Sequence, residues 1–362
     1  MRIGLALSGG GMRAAIFHLG ILQALAEEEL FNQVTRISTV SGASLGMGLI
    51  YSLNKQQWPT DEVFLDKILP AIQTIITKKD IQWTSLCQMI CRPYYWDKKV
   101  NLLSNVMEKK WGIHCCLQDI PNHPLWIINT TAFESGKDFR ISPMRMGTKP
   151  AYVINPRFRL SHAMGASAGF PVLIGPYKLK TKKYEWVDKT GDLSLDQIDP
   201  VLHLWDGGVF DNMGLDPIFK IKDGGKMPRD INYMIVSNAS GNIEHQRRHL
   251  GYSFRNLKRL LDINMDQVGS IKSTVICDYM NQHHNGVYIK IGTMMSDIVK
   301  DSDLSLRDKE HLIHGAMKED DVLVVRDYKT TLERVKPADY HKILRHGYET
   351  AKANLLCWGH IQ

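Results

Sequence analysis

The sequence predicts an α/β protein with a partly parallel sheet. Two observations carry this. Twice within the first 53 residues an apolar, strand-like run breaks at small residues and reopens as an apolar, helix-like run. Further strand-like runs then recur at residues 126–131, 201–205, 233–237 and 287–291. No internal repeat, low-complexity segment or linker divides the 362 residues, so one domain over 1–362 is expected.

Taken in order, residues 2–7 read as a buried strand that runs into Gly9, Gly10 and Gly11. Residues 14–29 read as a buried helix and 34–40 as a second strand. That strand stops at Ser41-Gly42-Ala43-Ser44-Leu45-Gly46, and 45–53 reads as helix. Residues 61–79 form an amphipathic helical pattern interrupted at Pro70. The polar stretch 180–199 reads as an exposed loop, 242–261 as a basic helical stretch and 337–356 as a closing helix.

The composition is 44% hydrophobic and 23% charged, enough apolar content for a sizeable core. A net charge of +7 suits an anionic partner such as a membrane surface, although a solvated basic surface is the plainer reading. The six cysteines contain no CxxC pair, which leaves a zinc ribbon or thioredoxin-type site unsupported. Reduced thiols in a reducing, cytoplasmic compartment are expected. The first strand starts at residue 2, so no signal peptide is expected, and no apolar run is long enough to cross a membrane.

The chemistry starts at the glycines. A strand that breaks into consecutive glycines and reopens as a helix turns backbone amides toward one point, at the positive end of the helix. The anion held there is either a phosphate or the oxyanion of an acyl transfer. Gly9 to Arg13 matches neither the P-loop nor the dinucleotide fingerprint, which favours acyl transfer.

Downstream, Gly42-Ala43-Ser44-Leu45-Gly46 has the form GxSxG between a strand and a helix, and makes Ser44 the candidate nucleophile. None of the fourteen histidines sits in a convincing loop after a strand. The candidate base is Asp206, which ends the run 201–205 and is followed by Gly207 and Gly208. A second Asp-Gly-Gly at Asp223 has no strand before it and reads as a surface turn.

These motifs, in this order, resemble the patatin-like phospholipase family. The residues that carry the resemblance are Gly9 to Arg13, Gly42 to Gly46 and Asp206 to Gly208, joined by 129–136 and by Ala163 to Pro171. It covers roughly residues 1–240. Residue 14 is Ala where the family usually has Gly, and 60–120 and 240–362 do not align. The resemblance implies a three-layer α/β/α fold with a central, largely parallel sheet, in which 60–120 is a lid or insertion and 240–362 completes the domain. It implies a Ser44–Asp206 dyad with Gly9, Gly10 and Gly11 as oxyanion donors, cleaving acyl esters of glycerophospholipids. The Leu45 amide is an added donor candidate. No metal or other cofactor is expected.

Arg13 has two candidate roles, bracing the glycine loop or meeting a lipid phosphate. Residues 81–96 carry Trp83, Tyr94, Tyr95 and Trp96 among lysines and an arginine, a composition that fits lipid contact at a membrane surface or an inserted core helix. The expected partner is a phospholipid membrane, with peripheral association, and no nucleic acid polymer is expected. Some bacterial proteins of the resembled family are antiviral effectors switched on by cyclic nucleotides. The basic stretch 246–259 is the place such an activator would be sought, against the plainer reading of a solvated helix face. The rival readings are a carboxylesterase or lysophospholipase acting on small or monoacyl esters, and a catalytically silent lipid-binding module.

Overall fold

The computed structural model describes residues 1–171, 174–188, 198–241 and 253–359. Strand β1 (Ile3–Leu7) leads into helix α1 (Gly11–Glu27), and β2 (Val34–Val40) into α2 (Gly42–Leu53). Helices α3 (Ile81–Ile90) and α4 (Lys99–Trp111) precede β3 (Leu125–Ala132). Short strands β4 (Asp138–Ile141), β5 (Arg145–Thr148) and β6 (Ala151–Ile154) follow, then α5 (Leu160–Ser167), β7 (Tyr177–Lys180) and β8 (Val201–Asp206). The chain ends with β9 (Tyr233–Asn238), the long α6 (Phe254–His283), β10 (Gly286–Lys290) and α7 (Pro337–Trp358).

The strands form one mixed sheet in the order β10-β9-β1-β2-β3-β4-β5-β6. The half from β10 to β3 is parallel throughout, as the two strand–turn–helix units predicted. The antiparallel continuation β4 to β7 was not visible as strands in the sequence. Those strands are four residues each, too short for alternation to stand out.

Both sheet faces are covered, which is what buries β1 completely. Alternate residues serve alternate faces: Ile3, Leu5 and Leu7 join the larger core with α1 and α7, and Ala6 joins the smaller one with Ile276 and Met280 of α6. The two helices on the larger side touch backbone to backbone. A Cβ on Gly20 would lie 2.1 Å from the Leu344 carbonyl, and one on Gly347 2.1 Å from the Phe17 carbonyl. Only glycine allows that crossing.

Two boundaries differ from expectation. The interruption near Pro70 is a π-helical turn, Phe64–Ile68, and the helix runs on as Leu69–Lys78. A wider turn before the proline absorbs the backbone bond it cannot make. The stretch 180–199 is not exposed where it begins: Thr181 and Trp186 are buried, with the Trp186 Nε1 donating to the Thr181 carbonyl at 3.0 Å. Its residues 189–197 lie outside the described residues, as do 242–252 of the basic stretch.

Candidate active site

Sheet register brings the site together. Strand β2 pairs with β3 up to Val40, opposite Asn129. Beyond that point β8 takes over the same edge of β3, running the opposite way, and its last residue Asp206 faces Thr130. The carboxyl ends of β2 and β8 therefore meet at adjacent residues of one strand. The residue that follows Val40 is Ser41, and it lands beside Asp206.

Ser41 occupies φ 51, ψ −118 between β2 and α2. A non-glycine residue with positive φ stores strain, and a strand-to-helix corner is where such strain exposes a hydroxyl. Its side chain does not cap α2, although serine at that position ordinarily would. It lies close enough to the Asp206 carboxyl to lower that group's pKa. Burial pushes the Asp206 carboxyl up to about 6, while the Gly208 amide, donating at 2.8 Å, and the Ser41 hydroxyl hold it down.

The structure does not bring Ser44, the expected nucleophile, to this corner. Ser44 lies inside α2, fully buried, and its hydroxyl is 2.9 Å from both Thr39 Oγ1 and Ser167 Oγ. The direction of the protons follows from supply. Ser167 spends its single proton on the Asn129 carbonyl at 2.8 Å, so Ser44 must donate to Ser167. Thr39 must then donate to Ser44, and it accepts from the Trp126 Nε1 at 2.9 Å. The chain runs one way, Trp126 to Thr39 to Ser44 to Ser167 to Asn129. Ser44 has neither a spare proton nor a route to an ester carbonyl, and it does not reach Asp206. Ser41 carried a signal of its own in the sequence: it is the first residue after the strand, whereas Ser44 lies within the first turn of the helix.

The glycine loop lies against this corner. A Cβ on Gly42 would sit 1.9 Å from the Gly11 carbonyl, so α2 and the loop meet through backbone alone. Gly10 and Gly11 take φ 144 and 63. Helix α1 starts with no capping side chain and no acidic residue in its first turn, which leaves its positive end available. Among the described residues, the amides of Gly10, Gly11 and Gly42 donate to no protein group. The Gly9 amide donates to the Asn212 carbonyl at 3.0 Å, which removes it from the expected set of three donors. Leu45 is also excluded as a donor, because its amide bonds the Ser41 carbonyl at 3.2 Å.

Arg13 is buried and faces protein carbonyls. Its guanidinium donates to those of Arg326 (3.2 Å), Tyr328 and Ala239 (3.1 Å). Burial lowers its pKa to about 10 and the nearby Asp327 charge offsets part of that, so it stays cationic at neutral pH. Of its two candidate roles, the geometry is that of a brace. Met12 adds to the same anchorage by donating to the Thr331 carbonyl at 2.9 Å. His18 supports the loop from below: burial lowers its pKa to about 4, and the neutral ring donates to the Ser8 carbonyl at 2.9 Å and accepts from Ser237 at 3.1 Å.

The 81–96 segment is not a core helix. Trp83 (64%), Ile90 (72%), Tyr94 (64%) and Trp96 (61%) are exposed, and only Ile81 is buried in α3. Tyr95 is half-buried and accepts from Asn105 Nδ2 at 3.2 Å. The segment is tied to the brace around the glycine loop. One Asp80 oxygen caps α3 at the Trp83 amide (2.7 Å) and the other accepts the Arg334 amide (3.1 Å). Asp223 sits in an exposed turn, away from any strand end. Within the basic stretch 246–259, the described Lys258 pairs with Asp262 at 2.6 Å.

A sequence profile of the family described as patatin-like phospholipase matches residues 5–219. Among solved structures, human GIVD cytosolic phospholipase A2 is 13% identical with a TM-score of 0.56, over 97% of this chain and 61% of that one. The same human protein in complex with the inhibitor methyl gamma-linolenyl fluorophosphonate and terbium chloride is 13% identical with a TM-score of 0.52, over 99% and 60%. VipD from Legionella pneumophila is 15% identical with a TM-score of 0.43, over 99% and 67%. At this identity the likeness to the human protein is one of fold. This chain spans about three-fifths of the human chain's length. No curated protein matches the sequence.

Proposed function

Since the chain belongs to the patatin-like phospholipase family, we propose that it is a serine acyl hydrolase of glycerophospholipids working through a Ser41–Asp206 dyad. The observation that carries this is Ser41 at a strained strand-to-helix corner, its hydroxyl close enough to Asp206 to lower the pKa of that buried carboxyl, beside amides that among the described residues have no protein acceptor.

Ser41 Oγ attacks the ester carbonyl carbon while its proton passes to Asp206. The carbonyl oxygen becomes the oxyanion, stabilised by the amides of Gly10, Gly11 and Gly42 at the start of two helices. One such donor contributes about 3–4 kcal/mol to the transition state. The C–O bond to the leaving alcohol then breaks, and Asp206 returns the proton to it. Water attacks the acyl-Ser41 ester, Asp206 takes its proton, and collapse frees the fatty acid and restores the serine. A carboxyl raised to about 6 is a better base than an ordinary carboxylate and remains ionised at neutral pH.

The exposed aromatics of 81–96, with Lys98 lying 3.8 Å from the Tyr94 ring, favour a lipid surface over small soluble esters. We read residues 1–362 as one domain in which this segment is the membrane-facing insertion. The test uses phosphatidylcholine vesicles containing phosphatidylglycerol, with fatty acid release and vesicle sedimentation measured. Wild type is expected to bind and to release fatty acid. Ser41→Ala should bind without release, and Trp83→Ala with Trp96→Ala should lose binding while keeping turnover of a soluble ester. Fatty acid release by Ser41→Ala would overturn the dyad, and undiminished vesicle binding by the double variant would overturn the membrane-facing assignment.

A further inference from the structure

Ser167 is fully buried at the last position of α5, and it touches both halves of the site. Its Oγ accepts the Ser41 amide at 3.0 Å. Its main-chain carbonyl accepts the amide of Gly207, the residue after Asp206, at 3.4 Å. Two residues on, the Gly169 carbonyl accepts the Asp206 amide at 3.0 Å. Its own proton goes to the Asn129 carbonyl at the β2–β8 meeting point, which fixes the Oγ in place as an acceptor.

We propose that Ser167 is the positioning residue of the dyad, a single residue whose side chain seats the Ser41 corner and whose main chain seats the Asp206 turn. This rests on the Ser41–Asp206 reading. Its physical basis is that the strained corner needs an external hold. Ser41 belongs to a backbone region that relaxes unless its surroundings over-determine it. The Ser41 amide precedes the first helical amide of α2, so no helical bond restrains it. Without the Ser167 hydroxyl that amide is buried and unpaired, and the corner is free to rotate the Ser41 hydroxyl off Asp206. Ser44 donates into the same hydroxyl but touches neither partner of the dyad, so it is a matched structural control.

The experiment compares Ser167→Ala, Ser167→Thr, Ser44→Ala and Ser41→Ala in the full chain, with a soluble p-nitrophenyl acyl ester as substrate. Ser167→Ala is expected to lower kcat by about a hundredfold, the cost of misplacing a reacting group by about 1 Å, with KM unchanged. Its pH profile should also move. Asp206 loses the nearby Ser41 hydroxyl that lowers its pKa, so the acidic limb shifts above about 6. No charged group among the described residues contributes to that value, and the neighbouring Asp211 is paired with Lys272 of α6 at 2.9 Å. Ser44→Ala should lose a similar amount of thermal stability but keep most of its kcat and its pH limb, and Ser167→Thr should recover much of the lost rate. If Ser167→Ala does not fold, Ser167→Cys, close in shape and a poor acceptor, carries the same expectation. Ser167 variants that match Ser44→Ala in both kcat and pH limb overturn the proposal alone. Full turnover by Ser41→Ala removes the dyad and the proposal with it.

Discussion

Two serines three residues apart sit in opposite situations. Ser41 is at a strained corner, its helix-capping role given up and its hydroxyl turned to a raised carboxylate. Ser44 is within the first turn of the helix, unstrained and locked into a one-way chain of hydroxyls that ends on a carbonyl. The GxSxG spacing points to Ser44; the strained backbone favours Ser41. A nucleophile is marked by strain and by a base that will take its proton, and residue spacing encodes neither.

The contrast can be broken most severely at Ser41. Ser41→Ala is expected to reduce kcat by about 10⁴-fold or more, as loss of a nucleophile does. A smaller loss than that of Ser44→Ala would reverse the two roles. Next comes the base. Asp206→Asn should cost about 10³–10⁴-fold, because an amide cannot accept the proton, whereas the exposed Asp223→Asn should leave steady-state rates unchanged. Equal effects would remove the distinction between the two Asp-Gly-Gly turns.

The pH dependence sharpens the same point. Asp206 must be ionised to act, and its carboxyl is raised to about 6, so kcat/KM should fall tenfold per unit as pH drops below that value. A flat profile down to pH 4.5 would mean that an ordinary carboxylate, or none, serves as the base. The smallest effect on rate belongs to Ser44→Ala, whose consequence is stability. The Thr39 hydroxyl loses its buried acceptor, at a cost of about 1–3 kcal/mol, measurable by urea unfolding.

Much of this site was legible in the chain. Gly10, Gly11 and Asp206 stand at strand ends, and strand ends are written in apolar runs that stop at small residues. The parallel half of the sheet followed from two strand–turn–helix units for the same reason. What was not legible depends on partners far away in sequence. The Ser167 hydroxyl reaches Ser41 across 126 positions, and the carbonyls that hold Arg13 lie more than 220 positions away. The Gly9 amide resembles its neighbours in sequence, yet it is the one that donates to the Asn212 carbonyl. Local pattern reports where a turn is, and tertiary contact decides which of its amides are left over.

Ser41, and not Ser44, is the proposed nucleophile. The most direct test is to treat the full chain with a fluorophosphonate and locate the adduct by tandem mass spectrometry of the peptide spanning both serines. One adduct is expected, on Ser41, lost in Ser41→Ala and retained in Ser44→Ala. An adduct on Ser44, or labelling that survives Ser41→Ala, would contradict it.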